Sequence, residues 1–327
     1  MKVQKDPPRD HHIVPAGYLR NFKNAENDIF ACKVKDDRLH VKVRKTSEMG
    51  IAYVRDFYKV DVLPWDSLGD EENAYEVETK INQSYENDIP EYWKVLTDGR
   101  SNIHIGQKHR IVEIIVHLKY RNSFIRNTLY SKDNMYEVFK AEKLAIKNSP
   151  DSSLLEQRKH FGSDFDLYLD LAFEMWVGEF EKKGGGILHN RALKWREGND
   201  TSIRKAAIWR LAQSDWTIFE ASDDSVIVSD NPGFAVHKGK IFNFLATGDF
   251  ELYFPINSCK VLHIKSRKDV IDEASLNQLN HSSMKSELVS FVNNQTVLYA
   301  SLEIYGSKKS TIELYRDIYR SSLDYKS

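Results

Sequence analysis

From His109 to Tyr130 the chain reads HRIVEIIVHLKYRNSFIRNTLY, in which Ile111, Ile114, Ile115, Leu118, Ile125 and Leu129 fall along one side at about 100° per residue. A stripe of that length predicts one continuous amphipathic helix, and a helix with an apolar face must bury it against a second layer. Helical spacing recurs on both sides of this segment. Val77, Ile81, Tyr85 and Ile89 predict a helix over 75–96 that Pro90 kinks or restarts. Further helices are expected in NMYEVFKAEKLAIKN, SSLLEQRKHF, FDLYLDLAFEMWVGEFEKK and TSIRKAAIWRLAQ, with Gly184 to Gly186 ending the run that holds Trp176 in a loop.

The two ends of the chain carry a different pattern. NDIFACKVKDDRLHVKVRK reads as a hairpin turning at KDD, and VRDFYKVDV as a third strand nearby. DWTIFEAS, DSVIVSD, FELYFPI and CKVLHI are short β-branched or aromatic runs separated by turns. A last helix is expected near 273–292, then a VLYA strand and a helical tail. The fold class that follows is α+β, with a helical middle packed on a small mixed or antiparallel sheet formed by the N-terminal hairpin and the C-terminal strands. We read 1–327 as a single compact domain, divided into a β start (1–62), a helical middle (74–213) and a β-rich end (214–327). A chain of 327 residues can bury a sizeable core, and 12% aromatic content argues against disorder.

A formal net charge of −1 removes the simplest electrostatic case for nucleic-acid binding. The charge is nevertheless uneven: 61–100 holds eleven Asp and Glu against three Lys and Arg, whereas 101–149 holds nine basic residues against four acidic ones. Neighbouring segments of opposite sign most simply pair with each other. The two cysteines, Cys32 and Cys259, fit neither a thiolate zinc site nor a disulfide framework. With no apolar signal core and no apolar run near the ~18 residues of a membrane span, a cytoplasmic protein without a membrane partner is expected.

Three polar features stand out. In RDHHIVPAGYLRNF, His11 or His12 could serve as a metal ligand or general base, or the segment could be a corner in which Pro15 stiffens the turn and Tyr18, Leu19 and Phe22 dock on the core. Neighbouring side chains on an extended segment point in opposite directions, so the two histidines do not share one role, and His12 is the preferred functional one. In SVIVSDNP, Asp230 at a strand end could bind a metal or orient a histidine, or could cap an Asx-type turn bent by Pro232. Arg121 lies roughly 60° from the centre of its helix's stripe, which sets a guanidinium at the core edge. There it needs a carboxylate, Glu78 or Glu86, or else acts as a phosphate clamp with Arg126.

Other motifs fall away on inspection. GGGILHNR lacks the strand and lysine spacing of a phosphate loop, so no nucleotide cofactor motif is present, and there is no Gly-x-Ser-x-Gly elbow. HHIVP resembles the start of an HNH nuclease, but its partner would have to be Asn27 or His40, where a hairpin is expected instead of a helix. ETK at Glu78 to Lys80 imitates a restriction-type nuclease motif, which needs a strand where a helix is predicted. The stripe Phe165, Tyr168, Leu169, Ala172, Phe173 and Trp176 is read as core packing.

Several of these pieces, in order, resemble the uncharacterised bacterial family known as domain of unknown function 4238. The resemblance rests on His11, His12, Val14, Pro15, Tyr18, Leu19 and Phe22; on Tyr85 with Glu86; on Arg121 with Arg126; on Trp216 to Ile218; on Ser229, Asp230, Asn231 and Pro232; and on Phe254 with Pro255. Ala16 and Gly17 depart from the polar and aromatic residues expected there. The resemblance implies order and coverage but no activity. From the residues we expect a metal-assisted hydrolase, a nuclease or phosphodiesterase of the bacterial defence or toxin type. His11, His12 and Asp230 would form its reactive centre, with His12 and Asp230 holding a divalent ion (Mg, Mn or Zn). Arg121, Arg126, Ser229 and Asn231 would bind a nucleic-acid or other phosphate-containing substrate, with Glu86 and Tyr18 in support. The alternative is a non-catalytic module that uses the same polar set for a ligand or a protein partner.

Overall fold

The computed structural model describes residues 9–35, 41–60, 74–131, 158–183, 186–198, 202–244, 247–267 and 273–324, with scattered positions from 133 to 144. The strands, numbered in chain order, form three sheets. Strand β1 (Asp10–His12) pairs antiparallel with β4 (Tyr53–Arg55) as a two-stranded ribbon. Strands β2 (Ile29–Lys33) and β3 (Arg44–Thr46) join β6 (Val228–Ser229) and β12 (Glu303–Gly306) in an antiparallel sheet ordered β3-β2-β12-β6. The third sheet runs β11-β5-β10-β9-β7-β8, from β5 (Asp215–Glu220), β7 (Phe234–His237), β8 (Lys240–Phe242), β9 (Glu251–Pro255), β10 (Lys260–Lys265) and β11 (Asn280–Ser283). Only the β11–β5 pairing is parallel among these described strands, which makes that sheet mixed. The class is α+β, and the N-terminal hairpin does join C-terminal strands.

The helices are α1 (Ala16–Leu19), α2 (Gln83–Glu86), α3 (Ile89–Thr97), α4 (Ile105–Tyr120), α5 (Ser123–Leu129), α6 (Phe165–Lys183), α7 (Gly186–Gly198), α8 (Ser202–Ala212), α9 (Glu273–Leu276), α10 (Ser286–Tyr299) and α11 (Lys309–Asp324). A π-helix, Val77–Asn82, leads into α2, and Pro90 sits in the first turn of α3, where a missing N–H costs nothing. Helix α4 starts on a reciprocal cap between His104 and Gln107 and buries Ile111, Val112, Ile114, Ile115 and Leu118 against the core that also holds Trp93, Trp216 and Phe254. That one buried cluster runs from Ile13 to Tyr305.

The structure departs from the sequence expectation at four places. The long stripe is two helices: α4 ends at Tyr120, and the Asn122 side chain caps α5 by accepting the Ile125 N–H at 3.0 Å. The VRDFYKVDV strand is short and pairs with β1 rather than with the hairpin. The expected 273–292 helix is a short helix, strand β11 and then α10, and VLYA closes α10 while the strand follows at Glu303. A β7–β8 hairpin and helix α7 stand where no element was expected. The KDD turn and nearly all of the runs around 135–157 lie outside the described residues.

Candidate functional site

The β1–β4 ribbon separates the two histidines. His11 is fully buried, accepts the Tyr58 backbone N–H on Nδ1 at 2.8 Å and stacks on the Tyr58 ring. His12 faces the other way, opposite Tyr53 in the register and edge-on to its ring. Among the described residues its buried Nε2 has no hydrogen-bond partner, while the ring bonds to the Met49 backbone in a way that favours protonation, hence through the Met49 carbonyl. A neutral ring giving its Nδ1 proton there keeps its lone pair on Nε2. Burial lowers the His12 pKa, against the pull of Glu86 and Glu78, so the imidazole is neutral at pH 7.

Beside it, Arg121 is fully buried at the end of α4. It donates from Nε to Tyr58 Oη at 3.0 Å and from Nη1 to Glu86 at 2.8 Å, and Nη2 donates to the His12 carbonyl. Tyr58 Oη in turn donates to the Arg121 carbonyl at 2.9 Å. Burial works against the guanidinium charge, but Tyr58, Glu86 and Glu78 outweigh it and hold Arg121 charged. Glu78 comes from the π-helix, where Asn82, four residues on, donates its amide N–H to Glu78 and accepts from His117 Nε2 on Oδ1 at 3.0 Å. Burial raises the Glu78 pKa, with Arg121 opposing. One cluster therefore holds a neutral imidazole and a carboxyl whose pKa values burial has moved toward each other from opposite sides.

Arg126 buttresses this cluster from behind. It donates to the Phe57 carbonyl and to Asn190 Oδ1 at 2.8 Å, and Asn190 donates to the carbonyls of Phe57 and Lys59. Burial brings the Arg126 pKa down to about 10. The 57–59 loop, and with it Tyr58, is fixed by these bonds. Tyr18 fastens the other end of the N-terminal corner, donating its hydroxyl to the Pro255 carbonyl at 2.6 Å from a fully buried ring.

The Ser229-Asp230-Asn231 turn belongs to a different network. The Asp230 carboxylate accepts the backbone N–H groups of Ser301 at 2.7 Å, Leu302 at 2.8 Å and Glu303 at 3.3 Å, which ties the end of β6 to the start of β12. Burial raises its pKa to about 7 in spite of those donors. Ser229 Oγ closes the turn by donating to the Asn231 carbonyl and accepting its N–H. Asn231 Oδ1 accepts from Lys119 and Asn122, each at 2.8 Å, and its amide donates to Asn243 Oδ1 and the Tyr299 carbonyl. Gly233 has φ +77°, and a Cβ there would meet Phe254 at 2.7 Å.

Both networks lie inside the stretch of sequence that matches one family, described as protein of unknown function (DUF4238), over residues 10–310. The chain belongs to that family. No curated protein and no solved structure matches it.

In this DUF4238 chain the structure gathers His12, Glu86 and Arg121 around one centre, with His11 and Arg126 in its support. It sets Asp230, Ser229 and Asn231 apart from them: His12 and Asp230 share no hydrogen bond or ion pair. Arg121 gives Nε, Nη1 and Nη2 to protein oxygens, and Arg126 gives Nη2 to the Phe57 carbonyl and Asn190 and Nε to His189. Among the described residues no three His, Cys, Asp or Glu side chains converge to hold an ion. No described helix is long and apolar enough to cross a membrane. Sequence reasoning passed over Asn82, Tyr58 and Lys119. Lys119 had a readable signal: it lies four residues after Ile115 and seven after Val112, on the apolar stripe itself.

Proposed function

We propose that this DUF4238 chain is a hydrolase of phosphodiester bonds, a nuclease or phosphodiesterase, whose reactive centre is His12 with Glu78. The observation that carries the reading is the buried Nε2 of His12, without a hydrogen-bond partner among the described residues and within the electrostatic reach of Glu78 and Glu86. His12 takes the proton of an attacking water on Nε2, and the two carboxyl groups stabilise the imidazolium that forms. The leaving oxygen takes its proton from solvent, and His12 returns its own to solvent before the next turnover. Arg121 is a positioning residue that fixes the His12 carbonyl and Glu86 together. Tyr53 and Arg55, both exposed on the same face of the ribbon as His12, supply a ring for a base and a cation for a phosphate.

The test is cleavage of single-stranded DNA, RNA and a chromogenic phosphodiester by the full chain. His12→Gln and Glu78→Gln should each lower kcat about 10²- to 10⁴-fold while the fold is kept. Because His12 sits below its ordinary 6.5, the rate should already be on its plateau at pH 7 and fall as acid protonates the ring. Absence of cleavage by the wild type, or wild-type rates from His12→Gln, would falsify this reading. A non-catalytic binding module has one observation in its favour, the full engagement of Arg121 with protein partners. It gains if His12→Gln abolishes only a ligand- or partner-induced thermal shift.

A further inference from the structure

The network around Asn231 has an open side. Lys119 and Asn243, with Tyr120, Phe124, Phe242 and Phe244, line a cavity of about 300 Å³, a volume at the lower end of those that hold small molecules. Most of the lining is apolar, and Lys119, Asn243 and Thr128 are the polar residues among it. This lysine is 1% exposed and gives three hydrogen bonds, to Asn231 Oδ1 at 2.8 Å, the Gly233 carbonyl at 2.7 Å and Asn243 Oδ1 at 2.9 Å. Three acceptors suit an ammonium, which has three N–H groups to give. All three are neutral, and among the described residues no carboxylate pairs with Lys119; burial accordingly draws its pKa well below the usual lysine value. The charge missing from this site is an anion.

The three acceptors are not equivalent. Asn231 is held by Asn122 and Tyr299 as well as by Lys119, and the Gly233 carbonyl belongs to a backbone packed against Phe254. Asn243 instead follows the short edge strand β8 and borders the cavity. Its Oδ1 receives both Lys119 Nζ and, at 2.7 Å, Asn231 Nδ2. A ligand oxygen at that position would meet the same two converging donors. We propose that the cavity binds a small apolar monocarboxylate, its body against Phe124, Phe242 and Phe244 and its carboxylate displacing the Asn243 amide to take the Lys119 and Asn231 donors. The site is separate from the His12 centre and does not depend on the activity proposed there.

Titrating the full chain calorimetrically with phenylacetate, phenylacetamide and phenethylamine tests this. The acid should bind saturably, about tenfold or more tighter than the amide, and the amine should not bind. Lys119→Met should weaken phenylacetate by about tenfold or more, and Asn243→Gly should tighten it by removing the competing oxygen. Leu129 borders the same cavity and is 51% exposed, so Leu129→Glu places a like charge at the mouth without disturbing the core, and should weaken the acid but not the amide. Equal affinity for acid and amide, no binding of the acid up to roughly 10 mM, or an unchanged affinity in Leu129→Glu overturns the proposal.

Discussion

Lys119 and Arg121 leave the same end of α4 two residues apart and enter two unlike interiors. Arg121 meets Glu86, Tyr58 and a carbonyl, with Glu78 close enough to act on its charge. Lys119 meets two amide oxygens and a carbonyl, all uncharged. Both are cations at a helix C-terminus, where the backbone dipole favours them equally. What separates them is the partner set, and therefore the proton: the same degree of burial leaves Arg121 firmly charged and pulls Lys119 toward neutrality. Position on a helix decides that a charge is buried, while the segment packed against it decides whether the charge is kept.

The largest effect should come from breaking the charged side. Arg121→Met strands Glu86 and frees the His12 carbonyl and Tyr58, and should cost about 3–5 kcal/mol in urea unfolding, with Arg121→Lys recovering less than half because one ammonium cannot serve three diverging partners. Next comes the carboxylate on the Asn231 side of the comparison. Asp230 is raised to about 7 in the folded chain, so the folded state holds its proton over a range where the unfolded state has lost it. Stability due to that proton is full below about pH 4 and disappears as pH rises through about 7, a loss on the order of 4 kcal/mol, and Asp230→Asn should flatten this slope. The uncharged surroundings of Lys119 predict a smaller change, about 1–3 kcal/mol for Lys119→Met at pH 7. Its sign is distinctive: the folded pKa lies below the usual 10.5, so the lysine's contribution is present above that value and is lost as pH falls, and the Met variant should compare worst in alkaline buffer. The smallest expectation is the coupling between the two. With divergent side chains and no shared side-chain partner, the double variant should be additive within about 0.5 kcal/mol, and a larger coupling would merge the two regions into one.

The difference between these regions also marks what could be read in advance. The α+β class, the buried stripe of α4 and the acidic partner of Arg121 follow from periodicity and from the opposed charges of 61–100 and 101–149, which meet in pairs such as Arg121 with Glu86 and Arg110 with Asp88. The divergence of His11 from His12 follows from strand geometry alone. The helix break at Asn122 does not, because its reason is partly Asn231, 109 residues away. Strand β11, Asn280–Ser283, has no apolar residue to announce it and is placed by backbone pairing with β5. Nor could proximity in a motif say that Asp230 would close on the backbone of 301–303 instead of reaching His12. Local rules see a residue's own element, and these outcomes were set by what arrived opposite it.

The π-helix of Val77–Asn82 has a consequence for length. Such a turn is an α-helix carrying one residue too many, so removing one residue from 79–82 would allow the segment to relax into an ordinary α-helix. Everything before the deletion would then rotate by about 100° relative to α2. Glu78 would swing away from Arg121 while Glu86 stayed, a disarmed centre inside an intact scaffold. Chain length at this single point thus sets whether Glu78 faces Arg121 or turns away from it.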